Sequence, residues 1–169
     1  MPDDGLPGYL QRGPTPAGAS YAPTRRSVSI QGVTAGANAA NAVASYDDNE
    51  STEWANDGQL GNAWIEYQFT QAARVKTVTL KLTGWRNRTY PLRLTIDGQT
   101  VWQGLTPRSL GYVTLNFPAT TGRSLKIELT APFQEGDGFS RITELAGAPE
   151  AKTTDGKGAL SIVETEIYE

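Results

Sequence analysis

The 169-residue sequence contains no cysteine and no histidine. Without cysteine the chain has neither a disulfide framework nor a thiolate metal site. Without histidine it has no Ser–His–Asp or Cys–His catalysis, no histidine-ligated zinc, and no imidazole for proton transfer near neutral pH. Any chemistry must therefore come from carboxylates, lysine, tyrosine or a cation held by oxygen ligands.

Long apolar runs and a strong charge imbalance are also missing. No stretch approaches the roughly 20 apolar residues of a membrane helix, and Met1 is not followed by a basic and then apolar secretion signal. Fifteen basic and 18 acidic residues give a net charge of −3, which provides no electrostatic attraction for nucleic acid. We therefore expect a chain without a membrane or nucleic-acid partner.

The composition divides the chain into a leader and a body. Residues 1–26 hold five of the ten prolines and four glycines, with little apolar periodicity, which indicates a linker without a core of its own. Residues 27–169 form the expected domain.

Short alternating runs dominate this domain. Each run places apolar residues at every second position, with threonine or charged residues between them, as half-buried strands do. Turn signals such as Asp97–Gly98 and Thr121–Gly122 separate the runs, and Ala35–Ala44 is predicted to form a short turn at most. The pattern predicts an all-β antiparallel sandwich or jelly roll of about eight strands. The runs are Val28 and Ile30; Ile65, Tyr67 and Phe69; Val78, Leu80 and Leu82; Leu92, Leu94 and Ile96; Val113, Leu115 and Phe117; and Leu125, Ile127 and Leu129.

An acidic stretch is the first candidate site. Residues 47–57 carry five acids and no base, and one asparagine and two hydroxyls lie among the acids up to residue 54. Carboxylate, amide and hydroxyl oxygens are the donors that Ca²⁺ prefers, and a cation would relieve the repulsion between the acids. A solvated acidic loop is the alternative, and the spacing does not match an EF-hand.

The last predicted strand raises a related question. Leu160, Ile162, Glu164 and Glu166 fall on one face of a regular strand. Either both glutamates point where the apolar residues point, or the apolar face switches through a bulge. An inward carboxylate is costly unless a cation meets it, so a metal between this strand and the acidic stretch would explain both features.

Five segments in order resemble coagulation-factor type C, or discoidin-like, domains. These segments are 47–54 (DDNESTEW), 63–69 (AWIEYQF), 75–82 (VKTVTLKL), 97–102 (DGQTVW) and 163–168 (VETEIY). The family fold is an eight-stranded jelly roll with galactose-binding-like topology. Its bacterial members include family-32 carbohydrate-binding modules, and residues 64–169 look most similar to the C-terminal module of family-2 glycoside hydrolases, often β-galactosidases or β-glucuronidases.

The resemblance implies a structural Ca²⁺. Glu164 and Glu166 are alternative ligands because the register of the last strand is ambiguous by two residues, and Asp48 stands where the family has glycine. The implied ligands are Asp47, Thr52 and Glu164 or Glu166, with carbonyls of Ala44 and Asn49.

The loop between Leu82 and Leu92 is the favoured sugar site. Sugars need an aromatic surface and fixed polar groups, and guanidinium forks suit carboxylates, so a uronate-containing glycan is one candidate ligand. The alternative is that the aromatic residues cap the sandwich while both arginines are solvated. The candidate residues are Trp85, Arg86, Asn87, Arg88 and Tyr90.

Other loops and aromatic residues stay open as contributors. Phe133 and Phe139 lie on a second candidate loop, and Arg108 and Tyr112 lie on a third connection. Trp54, Trp64 and Trp102 occupy positions that the family fills with scaffold aromatics. Which of the loops adjoin does not follow from the sequence.

The resemblance implies a non-catalytic carbohydrate-binding module of a larger secreted or periplasmic glycoside hydrolase. The alternative is a structural module that docks on the catalytic domain without binding sugar. Catalysis by this chain is disfavoured because its carboxylates are better explained as metal ligands than as an opposed glycosidase pair.

Overall fold

The computed structural model describes residues 25–136 and 158–169. No helix in these two ranges is long and apolar enough to cross a membrane. The elements of the described ranges are, in order, β1 (Ile30–Ala35), a 3₁₀ helix (Ala39–Ser45), β2 (Trp54–Ala55), a second 3₁₀ helix (Leu60–Asn62), β3 (Trp64–Leu82), β4 (Arg88–Thr89), β5 (Pro91–Ile96), β6 (Gln99–Leu105), β7 (Tyr112–Leu129), β8 (Gln134–Glu135) and β9 (Ser161–Tyr168).

Two long antiparallel strands, β3 and β7, contribute to both layers of the sandwich. The first half of β3 and the second half of β7 join β1, β5 and β6 in the first sheet. The second half of β3 and the first half of β7 join β9 and β2 in the second sheet. The predicted all-β antiparallel jelly roll is confirmed.

The predicted strand boundaries were wrong inside β3 and β7. The runs at 65–69 and 78–82 belong to one strand of 19 residues, and the turn predicted at Thr121–Gly122 lies within β7. The chain bends at register shifts instead of turning, because Thr121 and Gly122 remain paired with Arg74 and Ala73. Bulges of this kind bend a strand while its ladder continues.

Alternation along the strands produces the core, as predicted. The inward residues of five of the six runs are buried, Val28 and Ile30 of the first run are partly buried against them, and Trp54 is fully buried in the same core. Burial of each large apolar side chain stabilises the fold by about 1.5–3 kcal/mol. The Ala35–Ala44 region departs from the prediction, because it leads into a seven-residue 3₁₀ helix that buries Ala42 and Ser45.

The turn between β5 and β6 follows the predicted signal. Asp97 and Gly98 both have positive φ, 47° and 81°, which two-residue hairpin turns require. The Asp97 carboxylate also accepts a hydrogen bond from the Arg123 backbone amide at 3.0 Å, which ties the turn to β7. The turn lies at the end of the sandwich where β5 finishes.

The register of β9 settles the question of the two glutamates. Glu164 pairs with Lys81 and Ile162 pairs with Leu82, so Val163 is an extra residue in the ladder. Ile162 lies in the core before this bulge and Ile167 lies in the core after it. The bulge therefore switches the apolar face, which is the second of the two alternatives.

A chain of buried hydroxyls joins the two sheets. Ser45 Oγ donates to the Ala42 carbonyl at 2.7 Å, so its only proton is used there. Tyr67 must then donate to Ser45 at 2.9 Å, and Thr165 donates to Tyr67 at 2.9 Å. This directional chain links β9 in the second sheet, through β3 in the first sheet, to the helix that precedes the acidic stretch.

Tyr67→Phe should lower the free energy of unfolding by about 1–2 kcal/mol, because it removes two buried hydrogen bonds and leaves the Thr165 hydroxyl without its acceptor. Thr165→Val should destabilise the protein less when Phe already occupies position 67 than in the wild type. Urea denaturation of the two single variants and the double variant measures this coupling. Strictly additive effects would show that the hydroxyls do not form a chain.

Candidate functional site

The acidic segment (residues 47–53) gathers three of the predicted calcium ligands. Thr52 Oγ1 lies 2.8 and 3.0 Å from the two carboxylate oxygens of Asp47 and 2.8 Å from the Asn49 carbonyl oxygen. The backbone amide of Asn49 donates a hydrogen bond to the Asp47 carboxylate at 3.0 Å. A compact set of carboxylate, hydroxyl and carbonyl oxygens is thus formed by local hydrogen bonds.

Glu164 brings a buried carboxylate from β9 toward this segment. The residue is 3% exposed, and its Oε2 atom has no hydrogen-bond partner in the described part of the chain. Burial, followed by the negative charges of Asp48 and Asp47, raises the pKa of Glu164 to about 7, while the Asp48 amide donates a hydrogen bond to it. A buried carboxylate in this position requires either a proton or a cation.

Asp48 departs from the family pattern in its side chain but not in its backbone. Its φ is 57°, in the left-handed region that glycine adopts without steric cost. The chain therefore keeps the loop conformation that the family's glycine allows, and it adds a carboxylate that faces Glu164.

The donor set fits a calcium ion. Asp47, Thr52 and Glu164 offer hard oxygen atoms, and Glu164 Oε2 is an orphaned polar atom that an ion would satisfy. Within residues 25–136 and 158–169 no three acidic side chains converge on one point. An ion here would therefore take two carboxylates and complete its shell with hydroxyl, carbonyl and water oxygens.

The remaining two predicted ligands differ in their placement. Glu166 accepts a hydrogen bond from the Tyr168 hydroxyl, whereas Glu164 Oε2 has no partner in the described part of the chain. Ala44 lies in the last turn of the 3₁₀ helix that leads into the acidic segment. A groove of about 300 Å³ runs along β9 between the two glutamates and Asp48.

The two glutamates of the acidic segment have partners on other elements. Glu50 pairs with Lys81 and accepts the Tyr112 hydroxyl at 2.8 Å. Glu53 accepts hydrogen bonds from the hydroxyls of Thr83 and Ser161. The acids that look alike in sequence therefore divide into a group beside Glu164 (Asp47 and Asp48) and a group beside the loops (Glu50 and Glu53).

Three connections meet at the end of the sandwich where β3 finishes and β5 and β7 begin. Strands β4 and β8 pair there, and the Gly136 amide donates to the Asn87 carbonyl at 2.6 Å. A Cβ on Gly136 would lie 2.5 Å from Arg108 Nη2, so the third connection touches the same place. The loop end (residues 83–90, 106–111 and 131–136) is therefore one surface.

Trp85 and three arginines give this surface its chemistry. Trp85 is half-buried, and the Arg86 guanidinium lies over its ring at 4.7 Å. The Arg88 guanidinium lies over the Phe133 ring at 4.5 Å, with its Nε 3.6 Å from Glu135 Oε1. With Arg108 added, the loop end presents planar cations beside an aromatic ring, which suits a ligand with both a carboxylate and an apolar face.

Tyr90 and Phe133 do not offer ring faces to a ligand, contrary to the prediction. Tyr90 is 1% exposed and Phe133 is 9% exposed. Their rings pack 5.8 Å apart, and the Tyr90 hydroxyl donates to the Thr83 carbonyl at 2.6 Å. They cap the core and support the loops, and for Tyr90 this is what the alternative interpretation proposed. Phe139 lies outside the described residues.

Arg108, which the sequence analysis left open on a third connection, lies at the loop end. It lies about 20 residues from Arg88 in the chain, and only the meeting of three loops places both at one end. The Arg108 side chain is exposed. Leu110, two residues further along the same connection, is 94% exposed. No periodicity or motif spacing carries this information.

Comparison with known proteins identifies the fold. No protein-family model and no curated protein matches the sequence. The CBM32 module of AlyQ, solved in complex with 4,5-unsaturated mannuronic acid, matches with a TM-score of 0.64 and 20% identity over 85% of this chain and 98% of the module. A pectin-binding carbohydrate-binding module matches with a TM-score of 0.58 and 16% identity over 83% of this chain and 91% of that module.

A larger neighbour shows the context in which such a fold occurs. A truncated AlyQ with CBM32 and alginate lyase domains matches with a TM-score of 0.65 and 20% identity, over 86% of this chain and 33% of that chain. The present chain thus spans about a third of this two-domain neighbour. These matches establish that the chain has the discoidin-like sandwich fold of family-32 carbohydrate-binding modules, as the sequence motifs predicted.

Glu164 should make the metal-free protein less stable as the pH rises. Its pKa is about 7 in the folded chain and roughly 4.3 in an unfolded chain. The folded state therefore holds the extra proton, and its stabilising effect is complete below pH 4.3 and is lost as the pH rises through 7. The total loss is on the order of 3 kcal/mol.

Urea denaturation of metal-free protein between pH 5 and pH 8 measures this loss. Glu164→Gln should remove most of the decline, because the amide does not titrate. A wild-type stability that stays level across this range, or a decline that persists in the variant, would contradict the assignment.

Proposed function

We propose that this chain is a non-catalytic carbohydrate-binding module that holds a uronate-containing glycan at its loop end and a structural Ca²⁺ beside the acidic segment. The observation that carries the proposal is the convergence of Trp85, Arg86, Arg88 and Arg108 on one surface of a fold that forms carbohydrate-binding modules elsewhere.

The charge of the loop end favours an acidic sugar over a neutral one. A guanidinium fork donates two parallel hydrogen bonds to a carboxylate, and the Trp85 ring can stack on the apolar face of a pyranose. Two structural neighbours support this ligand class, because one was solved with an unsaturated mannuronic acid and the other is described as pectin-binding. The binding energy would come from few contacts, so we expect modest affinity.

The calcium ion would act on structure rather than on chemistry. Bound by Asp47, Thr52 and Glu164, it would supply the positive charge that the buried Glu164 carboxylate lacks. It would thereby fix the acidic segment against β9. The carbonyls of Asn49 and Ala44 remain candidate ligands, and we propose Glu164 rather than Glu166 from β9.

We further propose that the module is appended to a polysaccharide-degrading enzyme that is secreted or periplasmic, a glycoside hydrolase such as a β-galactosidase or β-glucuronidase. The support is the neighbour in which a similar module accompanies a catalytic domain.

A docking module without sugar binding is the second candidate. One observation favours it, because Leu110 is 94% exposed and Leu105 is 47% exposed beside the loop end. Exposed apolar side chains of this kind are typical of protein contacts when they are clustered. Absence of all glycan binding in the experiment below would favour this candidate.

Native affinity electrophoresis in gels with alginate or pectate should retard the wild-type chain, whereas neutral polysaccharides should not. Trp85→Ala and Arg86→Ala should each weaken binding about tenfold or more, because each removes stacking or a charge-assisted contact. Binding should weaken with added salt, since exposed charges are screened.

Arg123→Ala is the matched control for this experiment. Arg123 is exposed and lies beside the Asp97 turn, at the other end of β5 from the loop end. The same loss of charge there should leave retardation unchanged. Equal weakening by the control, with the fold intact by circular dichroism, would mean that binding follows net charge and not the loop end.

Calcium should raise the melting temperature of the wild-type protein by several degrees, because an ion that binds only the folded state stabilises it by mass action. Asp47→Asn and Glu164→Gln should each reduce this shift, whereas Glu166→Gln should retain it. Differential scanning fluorimetry with excess CaCl₂ and with EDTA makes the comparison. An unchanged wild-type transition, together with no bound metal by elemental analysis, would remove the ion from the account.

A further inference from the structure

Glu53 connects the acidic segment to the base of the tryptophan loop. Its Oε2 accepts hydrogen bonds from Thr83 Oγ1 and, at 3.1 Å, from Ser161 Oγ. Thr83 is the first residue after β3, and its carbonyl accepts the Tyr90 hydroxyl at 2.6 Å. The Glu53 carboxylate therefore holds Thr83, the residue at which the loop of Trp85 starts. Because Tyr90 at the far end of the loop also bonds to Thr83, both ends of the loop depend on this contact.

Glu50 makes the equivalent connection to the loop that carries Arg108. Its Oε1 accepts the Tyr112 hydroxyl at 2.8 Å, and its Oε2 pairs with Lys81. Tyr112 is the first residue of β7, directly after residues 106–111. The Lys81 ammonium also lies 5.7 Å from the centre of the Tyr112 ring. The position of this carboxylate therefore influences where the third connection enters the sheet.

The same seven residues carry the ion-facing oxygens. Asp47, Asn49 and Thr52 form the donor cluster, and Glu50 and Glu53 alternate with them along the chain. The segment is largely exposed, so few apolar contacts hold it in place. Side-chain hydrogen bonds and the charge balance near Glu164 are what fix its position.

We infer that Glu50 and Glu53 are positioning residues that link the ion to the loop end, so that calcium and glycan bind cooperatively. The inference rests on the proposed function, because it concerns both ligands of that proposal. Without an ion, Asp47 and Asp48 repel the Glu164 carboxylate when it is charged, and the segment is less firmly held against β9. Its two glutamates then hold the loop bases less firmly as well.

The linkage must act in both directions. If the ion orders the loops before the glycan arrives, the glycan loses less conformational freedom on binding. By thermodynamic reciprocity the glycan then tightens calcium binding by the same factor. Coupling between sites is typically about 5- to 150-fold, and for two exposed carboxylates we expect about tenfold.

Two readouts test the inference, of which only one needs a glycan. The first is the deuterium uptake of residues 83–90 and 106–112, measured by mass spectrometry with CaCl₂ and with EDTA. The second is the affinity for an oligouronate in the same two conditions, measured by calorimetry. In the wild type, calcium should slow the uptake of both loops and tighten the oligouronate about tenfold.

Variants at the two glutamates should break the link while keeping each site. The Glu50→Ala/Glu53→Ala double variant should still bind calcium, but its loop uptake and oligouronate affinity should no longer depend on calcium. Glu53→Gln keeps a carbonyl acceptor for Thr83 and Ser161, so it should retain more of the dependence than Glu53→Ala. Glu66→Ala, on the first sheet, is the matched control and should behave as the wild type.

The possible failures are distinct. If the wild type binds calcium and neither loop uptake nor oligouronate affinity responds, the inference is overturned while the ion proposal survives. If the wild type binds no calcium, the ion proposal and the inference fall together. If calcium slows loop uptake but no oligouronate binds, the glycan proposal and the cooperativity fail, and only the positioning role of the glutamates holds. A calcium dependence that persists in the double variant would assign the link to other residues.

Discussion

The carboxylate of Glu164 is the constraint on which the arrangement around the acidic segment depends. Its Oε2 atom is buried and has no partner in the described part of the chain, and two aspartates lie close enough to raise its pKa. An uncompensated buried charge is among the most costly features that a fold can contain. The β9 bulge at Val163 is what places this side chain outside the apolar row, so the fold itself creates the need for a proton or a cation at this carboxylate.

Acidic and basic side chains lie on two separate but adjoining surfaces. Aspartates and Glu164 face one another beside β9, whereas arginines gather at the loop end. A net charge near neutrality hides this separation. The acidic segment borders both surfaces, and Glu50 and Glu53 connect it to the loops. A cluster of acidic side chains and a surface rich in arginine thus lie on either side of one short segment.

Alternation predicted the core because each half-buried strand obeys a period of two residues. It could not show that Thr121 and Gly122 lie within a continuous strand. The sequence Thr-Gly is typical of a turn, and the same residues can also occur where a strand bends at a register shift and stays paired. Local motifs also placed Asp47 and Thr52 in one cluster, and their side chains are in contact because only five residues separate them. The sequence named Arg108 on a third connection but could not place it beside the other arginines, since its neighbours come from distant loops. Tyr90 shows that an aromatic residue in a polar loop can belong to the core.

A crystal structure of the protein grown with calcium at neutral pH tests the central claim most directly. The account predicts an ion about 2.3–2.6 Å from Glu164 Oε2 and from a carboxylate oxygen of Asp47, with the Thr52 hydroxyl also in its shell. Calcium-saturated crystals in which Glu164 Oε2 contacts no ion, or in which the ion lies away from Asp47, would contradict it.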